Sequence, residues 1–251
     1  QPPDRDEILA FVADINQAFP SLKLQPSEIA LVHHALVPAE PGAGRPEFKA
    51  EPELVDHGNP GRASAGSPAV PGVYSLIGVK YTTARKAAEQ AVDRIARSAG
   101  RQLRPCRTAT TVLPSAEIAD VEAILVESAR RAGLPADALS PAIVRHLAAW
   151  YGSATAPVVA EMAERPEWRE PLSKDTLVTG AEIAHAARHE QALRLRDAVL
   201  RRTMLGSAGH PGAEAIDRAA AIMREIHGWD AARAEHERRL LDEVYRPTAG
   251  L

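Results

Sequence analysis

The sequence contains a single cysteine, Cys106, and only 4% aromatic residues. One cysteine excludes an internal disulfide framework and any zinc or iron–sulfur site built from several cysteines of this chain. No apolar run approaches the roughly 20 residues that a membrane-spanning helix requires, and the first residues have no signal-peptide character. We therefore expect a protein of the reducing cytoplasm, with peripheral attachment to the inner face of the cell membrane left open.

The charges of the chain nearly cancel. Charged residues make up 25% of the sequence and the formal net charge is -3, so no global field favours nucleic acid as a partner. Arginines in the C-terminal half alternate with acidic residues, which is typical of a salt-bridged solvent face or of a contact in a homo-oligomer. This face consists of Arg194, Arg196, Arg201, Arg202, Glu190 and Asp197.

The first part of the chain mixes helical and strand patterns. Apolar residues at helical spacing predict a helix between Asp4 and Pro20, and the aliphatic run at 29–37 predicts a strand. Residues 38–71 are dominated by proline, glycine, serine and alanine, which predicts a loop with a short strand at 53–57.

A buried strand, a glycine turn and a helix are predicted next, in direct succession. The strand is predicted at 73–77, the turn at Gly78, and the helix up to Gly100, followed by a linker at 101–114. Apolar residues at helical spacing form one face of this helix: Ala84, Ala87, Ala88, Ala91, Val92 and Ile95.

Beyond residue 115 the sequence contains helical patterns only. The predicted helices lie at about 116–132, 141–151, 155–164, 180–205, 211–227 and 230–244. The fold class is therefore α+β and mostly α, with a mixed domain at 1–110 and an all-helical domain at 111–251. His185 and His189 lie four residues apart, but no third ligand accompanies them, so we predict no metal site.

The segment from strand to helix carries the chemistry. A glycine there lets the backbone approach a ligand closely, and the helix N-terminus offers unpaired N–H groups that favour an anion. Lys80, Thr82, Thr83 and Arg85 lie in or beside the first helical turn, where two hydroxyls and two cations add to the same anion site. The alternative interpretation is structural: a threonine caps the helix and both cations are solvated.

This segment resembles a signature of the FAD-dependent glycerol-3-phosphate dehydrogenases, in which Gly-Gly-Lys, an aromatic residue and Thr-Thr-(Tyr/Ala)-Arg precede Ala-Glu. The matching residues are Gly78-Val79-Lys80-Tyr81-Thr82-Thr83-Ala84-Arg85, followed by Ala87-Ala88-Glu89. Weaker similarities to the same family occur at 16–20, 106–108, 181–183 and 201–205, so the resemblance covers nearly the whole chain.

The resemblance implies that residues 1–110 are the C-terminal part of an FAD and substrate domain, whose N-terminal Rossmann half is absent from this chain. It implies oxidation of sn-glycerol 3-phosphate to dihydroxyacetone phosphate, with hydride passing to FAD and then to a quinone or another acceptor. The implied flavin contacts are Gly78, Val79, Lys80, Tyr81, Thr82 and Thr83. The implied catalytic residues are Lys80 and His34, and the implied substrate contacts are Lys80, Arg85, Lys49 and His33.

Two positions depart from the family pattern. Val79 replaces the second glycine, which a contact made through backbone atoms tolerates. Val37 stands where the family has an arginine that binds the substrate phosphate, and an isopropyl group cannot replace a guanidinium in that role. Either His33, His34, Lys49 or a residue outside the chain compensates, or the substrate is a different small alcohol or amine.

A hypothesis of another class is a helical interaction module without catalytic activity. In that interpretation the chain is built on a dehydrogenase remnant or is supplied to a separate flavin-binding subunit. The glycine-rich turn that binds the pyrophosphate of a dinucleotide is not among these residues, so the chain by itself is not expected to hold FAD firmly.

Overall fold

The structure is a computed structural model that describes residues 3–35, 37–40, 47–49, 51–59, 68–78, 80–113, 116, 120–135 and 137–246. The chain forms two compact units. Residues 35–112 form the first, which we call the turn unit, and residues 1–34 with 113–251 form the second, the helical unit. Residues 1–34 thus cluster with helical residues, and the assignment of residues 1–110 to an FAD and substrate domain stays a prediction.

The described residues of the turn unit form two small antiparallel sheets and one helix. Strands β1 (Ala39–Glu40) and β2 (Glu47–Phe48) pair with each other, and β3 (Glu53–Asp56) pairs with β4 (Tyr74–Ile77). A single 3₁₀ turn at Tyr81–Thr83 then leads into α2. The strands predicted at 53–57 and 73–77 are confirmed by β3 and β4.

The strand at 73–77 is present, but the prediction that it is buried is wrong. Among the described residues β4 pairs only with β3, and Leu76 is 46% exposed. Helix α2 (Ala84–Ser98) forms as predicted. Within the described residues it buries only alanines, at positions 87, 91 and 96, while Val92 of the predicted apolar face is exposed. Residues 101–113 contain no helix or strand, as the predicted linker requires.

The strand predicted at 29–37 is wrong within the described residues. A 3₁₀ turn at Pro26–Glu28 precedes this segment, and residues 29–35 have no strand partner. Leu31 instead packs against the core of the helical unit. At Leu31, packing against helices thus replaces the backbone pairing that a strand needs.

The helical unit begins with α1 (Arg5–Ala18), which confirms the predicted helix. The Asp4 side chain accepts a hydrogen bond from the Glu7 N–H, and the Glu7 side chain accepts one from the Asp4 N–H, so the helix start is encoded locally. The remaining α-helices are α3 (Val121–Arg131), α4 (Pro141–Tyr151), α5 (Ala156–Glu164), α6 (Gly180–His189), α7 (Leu195–Asp197), α8 (Ala213–His227) and α9 (Ala231–Tyr245).

Helix α6 lies at the centre of the core and packs against α5 and α8. All of its residues from Gly180 to Ala187 are buried. Within the described residues, no helix is both long enough and apolar enough to span a membrane.

The single helix predicted at 180–205 is wrong, because the chain breaks after α6. Gln191 adopts a left-handed backbone with φ 56°, and α7 passes directly into a π-helical turn at Ala198–Arg202. The buried Glu237 carboxylate accepts a hydrogen bond from the Leu195 N–H at 3.1 Å and so fixes the start of α7. The local sequence contains no signal for this distant partner.

Candidate functional site

Gly78 lies between β4 and the 3₁₀ turn, as the sequence predicts. Among the described residues, a Cβ atom added at Gly78 would meet only the Cβ of Pro52, at 3.6 Å, so the backbone here is open to a ligand. Val79, the next predicted flavin contact, lies outside the described residues.

The helix that follows has no side-chain cap. Thr83 precedes α2, but no side chain accepts a hydrogen bond from the first helical N–H groups, and the Thr83 hydroxyl donates to the Lys80 carbonyl at 3.2 Å. The structural alternative, in which a threonine caps this helix, is therefore not realised. The N–H groups of the turn keep the positive potential of an uncapped helix start.

Four of the predicted flavin contacts line one cavity of about 450 Å³: Gly78, Lys80, Tyr81 and Thr83. The rest of the wall is apolar and consists of Ala35, Val37, Pro38, Pro52, Leu76, Ala84 and Ala87. Thr82 is exposed but does not line this cavity. A cavity of this size with few polar groups is typical of a site for a small molecule or the edge of a cofactor.

Lys80 is the one cation among the described residues that line this cavity. It is exposed and has no carboxylate partner in the part of the chain that the structure describes. Tyr81 beside it is 97% exposed. An ammonium group without a counter-charge, next to an uncovered aromatic ring, is suited to bind an anionic or electron-rich ligand.

The other two cations predicted for the substrate are held by carboxylates. Arg85 forms an ion pair with Glu89 at 3.1 Å and donates to the Thr108 hydroxyl at 3.2 Å. Lys49 is hydrogen-bonded to Glu53 and lies 3.8 Å from Glu40. The hydrogen bond to Glu53, and then the charges of Glu53 and Glu40, raise the pKa of Lys49 against the opposing effect of burial.

The pairing of Arg85 also affects its acidic partner. Hydrogen bonds from Lys86 first and Arg85 second lower the pKa of Glu89. Neither Arg85 nor Lys49 lines the Lys80 cavity. Within the turn unit, the structure therefore brings only part of the predicted substrate site together.

The two predicted histidines belong to the helical unit. His33 is exposed, and its Nε2 atom lies 3.4 Å from the Ser207 carbonyl oxygen. His34 is also exposed. Their predicted contacts with substrate stay predictions.

Sequence reasoning missed part of the cavity wall. Pro52 and Leu76 line the cavity from the β3–β4 hairpin. A signal for them existed, because the predicted strands at 53–57 and 73–77 place both residues beside the glycine turn once they pair. Val37, which stands in place of the family arginine, lines the same cavity.

Comparison with known families gives one match, which covers half of the chain. Residues 106–234 match the family described as the C-terminal domain of alpha-glycerophosphate oxidase.

Curated relatives extend the similarity. The chain is 32% identical over 169 residues to glycerol-3-phosphate dehydrogenase 2 of Mycobacterium tuberculosis, covering 66% of this chain and 28% of that protein. It is 26% identical over 249 residues to a mitochondrial glycerol-3-phosphate dehydrogenase of Arabidopsis thaliana, covering 94% of this chain and 37% of that protein. The chain thus spans about a third of the length of these relatives.

A solved structure has the same fold. The glycerol-3-phosphate dehydrogenase of Bacillus halodurans, solved in complex with FAD, superposes with a TM-score of 0.63 at 19% identity. The superposition covers 98% of this chain and 46% of that chain. The arrangement of strands and helices described above is therefore shared with a protein more than twice as long.

Proposed function

Because the chain belongs to the FAD-dependent glycerol-3-phosphate dehydrogenase family, we propose that it is the C-terminal part of an enzyme that oxidises sn-glycerol 3-phosphate to dihydroxyacetone phosphate. The observation that carries the proposal is the open turn at Gly78 beside a largely apolar cavity. It is followed by Lys80 and by a helix start which, among the described residues, have no carboxylate partner and no side-chain cap.

These residues fit the edge of a flavin. The exposed backbone at Gly78 permits a flat ring to approach closely, and the apolar wall suits its uncharged surface. The positive potential of the helix start and of Lys80 stabilises negative charge on the ring edge. We propose Gly78, Val79, Lys80, Tyr81, Thr82 and Thr83 as the residues of this chain that contact FAD.

FAD, when bound, supplies the hydride acceptor. The residues of this chain orient the alcohol and balance its charge. Lys80 is proposed to meet the anionic end of the substrate and to stabilise the charge that develops during the reaction. We propose His34 as the group that accepts the proton of the alcohol. This assignment rests on the chemistry of an imidazole and on the family resemblance alone.

The substrate phosphate needs more positive charge than Lys80 alone provides, because a phosphate monoester carries close to two negative charges at neutral pH. Arg85 and Lys49 would have to exchange their carboxylate partners for the phosphate, and His33 or residues outside this chain would add further contacts. We propose that the remaining contacts to FAD also come from residues outside these 251. Cytoplasmic location, peripheral contact with the membrane, a quinone acceptor and self-association belong to the same proposal.

One observation favours a second candidate function. Val37 gives the Lys80 cavity an apolar wall, and among the described residues Lys80 is its one cation. A small alcohol or amine has no phosphate group, so its binding would not place a negative charge against the apolar wall without a compensating cation. The second candidate is therefore oxidation of such a compound by the same flavin chemistry.

The test uses the flavin-loaded protein that contains this chain. Anaerobic sn-glycerol 3-phosphate is expected to bleach the visible absorption band of FAD. Replacement of Lys80 by methionine (Lys80→Met) is expected to slow bleaching about 100-fold, the loss typical of one charge-stabilising group. Lys86→Met is the matched control, because Lys86 lies on the neighbouring turn but is paired with Glu89 at 3.3 Å.

The outcomes separate the candidates. Bleaching by glycerol but not by glycerol 3-phosphate supports the second candidate. A bound flavin that neither compound bleaches contradicts the first candidate and leaves another small alcohol or an amine as the substrate of the second. Failure of every form of the protein to retain FAD would leave the helical interaction module as the function.

A further inference from the structure

A second cavity, of about 190 Å³, lies within the helical unit. It is formed by the end of α4, by α6 and by the π-helical turn. The residues that line it are Trp150, Tyr151, Glu182, Glu190, Arg201, Arg202, Thr203 and Met204. This volume is below that of a typical drug-sized pocket, so it suits a ligand of few atoms.

One carboxylate of this cavity, that of Glu182, is already satisfied. Glu182 is 2% exposed, and its Oε1 atom accepts from His146 Nε2 at 2.9 Å and lies 3.5 Å from the Tyr151 hydroxyl. Its Oε2 atom accepts from the Thr179 N–H at 2.7 Å and from the Thr179 hydroxyl at 3.0 Å. Glu182 therefore acts as a fixed anchor with no free lone pair to offer a ligand.

Tyr151 presents a neutral phenol to the cavity. Burial first, and then the charges of Glu182 and Glu190, raise the pKa of Tyr151 far above its usual range. The phenol thus keeps its proton at neutral pH and remains a hydrogen-bond donor.

The backbone around this cavity is irregular in two places. Gln191, directly after Glu190, has a left-handed φ of 56°, and Ala198–Arg202 form a π-helical turn. The Thr203 N–H and hydroxyl both donate to the Ala198 carbonyl, at 3.0 and 2.8 Å, and close that turn. Both irregularities have an energetic cost, and such features concentrate at functional sites.

The four charged residues that line the cavity differ in whether they have a partner of opposite charge or hydrogen-bond partners. Arg201 pairs with Asp197 at 2.6 Å, and Glu182 has the partners described above. Arg202 has no carboxylate within 4.0 Å in the described part of the chain.

Glu190 likewise has no arginine or lysine within 4.0 Å in that part of the chain. Its nearest basic group is His185 Nε2 at 3.8 Å, and burial first, then His189, lower the pKa of His185, which keeps that imidazole neutral. One guanidinium and one carboxylate thus line the same small cavity without pairing with each other, and neither has an oppositely charged partner among the residues that the structure describes.

We propose that this cavity binds a small zwitterion, whose anionic group meets Arg202 and whose ammonium group meets Glu190. Arg202 offers a planar set of N–H donors that matches a carboxylate or a phosphate. The ring of Trp150, 55% exposed at the same cavity, adds a face that attracts an ammonium group. α-Amino acids and aminoalkyl phosphates share this chemistry.

The experiment measures binding to the 251-residue chain by isothermal titration calorimetry at neutral pH. L-alanine and O-phosphoethanolamine are the two zwitterionic probes, and acetate and ethylammonium each carry one of the two charges. At least one zwitterion is expected to bind about tenfold more tightly than either singly charged probe, because a charge-assisted hydrogen bond contributes about that factor. The better of the two zwitterions identifies the anionic group.

Two substitutions locate the site. Arg202→Gln and Glu190→Gln are each expected to weaken zwitterion binding about tenfold. Arg239→Gln and Glu214→Gln are matched controls on exposed positions of α9 and α8 and are expected to leave it unchanged. Arg202→Lys retains the charge and is expected to bind more tightly than Arg202→Gln.

The proposal is overturned if neither zwitterion binds at millimolar concentration. It is also overturned if acetate or ethylammonium binds as tightly as the zwitterions, or if the Arg202 and Glu190 variants bind like their controls. Circular dichroism of each variant confirms that a loss of binding does not arise from a loss of fold.

Discussion

The two units of the chain differ in what they bury. In the described residues of the turn unit, the buried apolar side chains are those of Ala87, Ala91 and Ala96. The helical unit buries a set of large side chains completely: Leu125, Leu147, Met162, Leu172, Ile183, Leu195 and Met223. Since each large side chain contributes roughly 1.5–3 kcal/mol when fully buried, the helical unit has a core of its own.

In the described part of the turn unit, no large apolar side chain is buried to that degree. Val73, Leu76 and Val92 are all exposed, and so is Tyr81 beside the proposed flavin site. Leu76 and Tyr81 line the same cavity, so part of this exposed apolar surface belongs to the candidate site. The comparison teaches that the helical unit is built for stability and the turn unit for contact with something else, which agrees with the proposed role of the turn unit toward FAD.

The largest expected effect comes from matched deletions in the two units. Leu147→Ala is expected to lower the free energy of unfolding by about 2–5 kcal/mol, because it leaves a cavity in a fully buried site. Leu76→Ala, at a half-exposed site, is expected to cost less than about 1 kcal/mol. Denaturant unfolding followed by circular dichroism measures both, and equal losses would contradict the comparison.

Substitution of one glutamate in each unit is the next test of the comparison. Glu237 is fully buried, lies 3.3 Å from Arg194 and 2.6 Å from Arg233, and fixes the start of α7. Glu237→Gln is expected to lower the free energy of unfolding by about 3 kcal/mol. This is the lower end of the range for a broken buried ion pair, because both arginines reach solvent. Glu89→Gln in the turn unit breaks only surface pairs and is expected to leave the denaturation midpoint unchanged. A comparable shift for Glu89→Gln would show that surface charge supports the turn unit.

Two glycines test the same contrast by addition of one methyl group. At Gly206 a Cβ atom would collide with the Tyr245 hydroxyl and lie 2.6 Å from a methyl group of Val199, so Gly206→Ala is expected to cost about 1–3 kcal/mol. Gly78→Ala meets only an ordinary contact and is expected to leave stability unchanged while it weakens FAD retention. Thermal unfolding and flavin fluorescence separate the two effects. A destabilised Gly78→Ala chain would mean that Gly78 serves folding rather than the ligand.

The smallest expected effect is a pH dependence of the helical unit. Burial first, and then Asp242, raise the pKa of Tyr245 from 10.0 to about 12. Above pH 10.0 the unfolded chain releases this proton while the folded chain retains it. The contribution of Tyr245 to the free energy of unfolding is therefore complete below pH 10.0 and decreases as the pH rises to about 12. Tyr245→Phe is expected to make the free energy of unfolding less dependent on pH in this window. Denaturant unfolding at a series of alkaline pH values measures this dependence. An unchanged slope would contradict it.

Local signals predicted the elements that depend on neighbouring residues. The reciprocal bonds of Asp4 and Glu7 start α1 where the sequence indicates, and the short strand predicted at 53–57 forms as β3. The break after α6 could not be predicted, because the residue that fixes Leu195 lies 42 positions away at Glu237. The strand expected at 29–37 failed for a similar reason, since Leu31 packs against the helical core and residues 29–35 have no strand partner in the part of the chain that the structure describes.

The candidate site was predictable to the same degree. Gly78, Lys80, Tyr81 and Thr83 share one cavity because they are neighbours along a turn. The engagement of Arg85 and Lys49 by acidic residues could not be predicted, because the choice of ionic partner depends on which side chains the fold places within reach. Lys49, for example, meets Glu40, which reaches it through the pairing of β1 with β2.

The π-helical turn at Ala198–Arg202 has one consequence for the register of the chain. Its closing bond runs from the Thr203 N–H to the Ala198 carbonyl, five positions back, so it accommodates one residue more than an α-helical turn. Deletion of a single residue from this segment would restore the regular period and rotate the side chains on one side of the deletion by about 100° relative to those on the other. Homologues one residue shorter here would therefore point a different side chain into the space that Arg202 occupies. The length of the chain at this position thus becomes a marker of whether a relative shares the proposed binding preference.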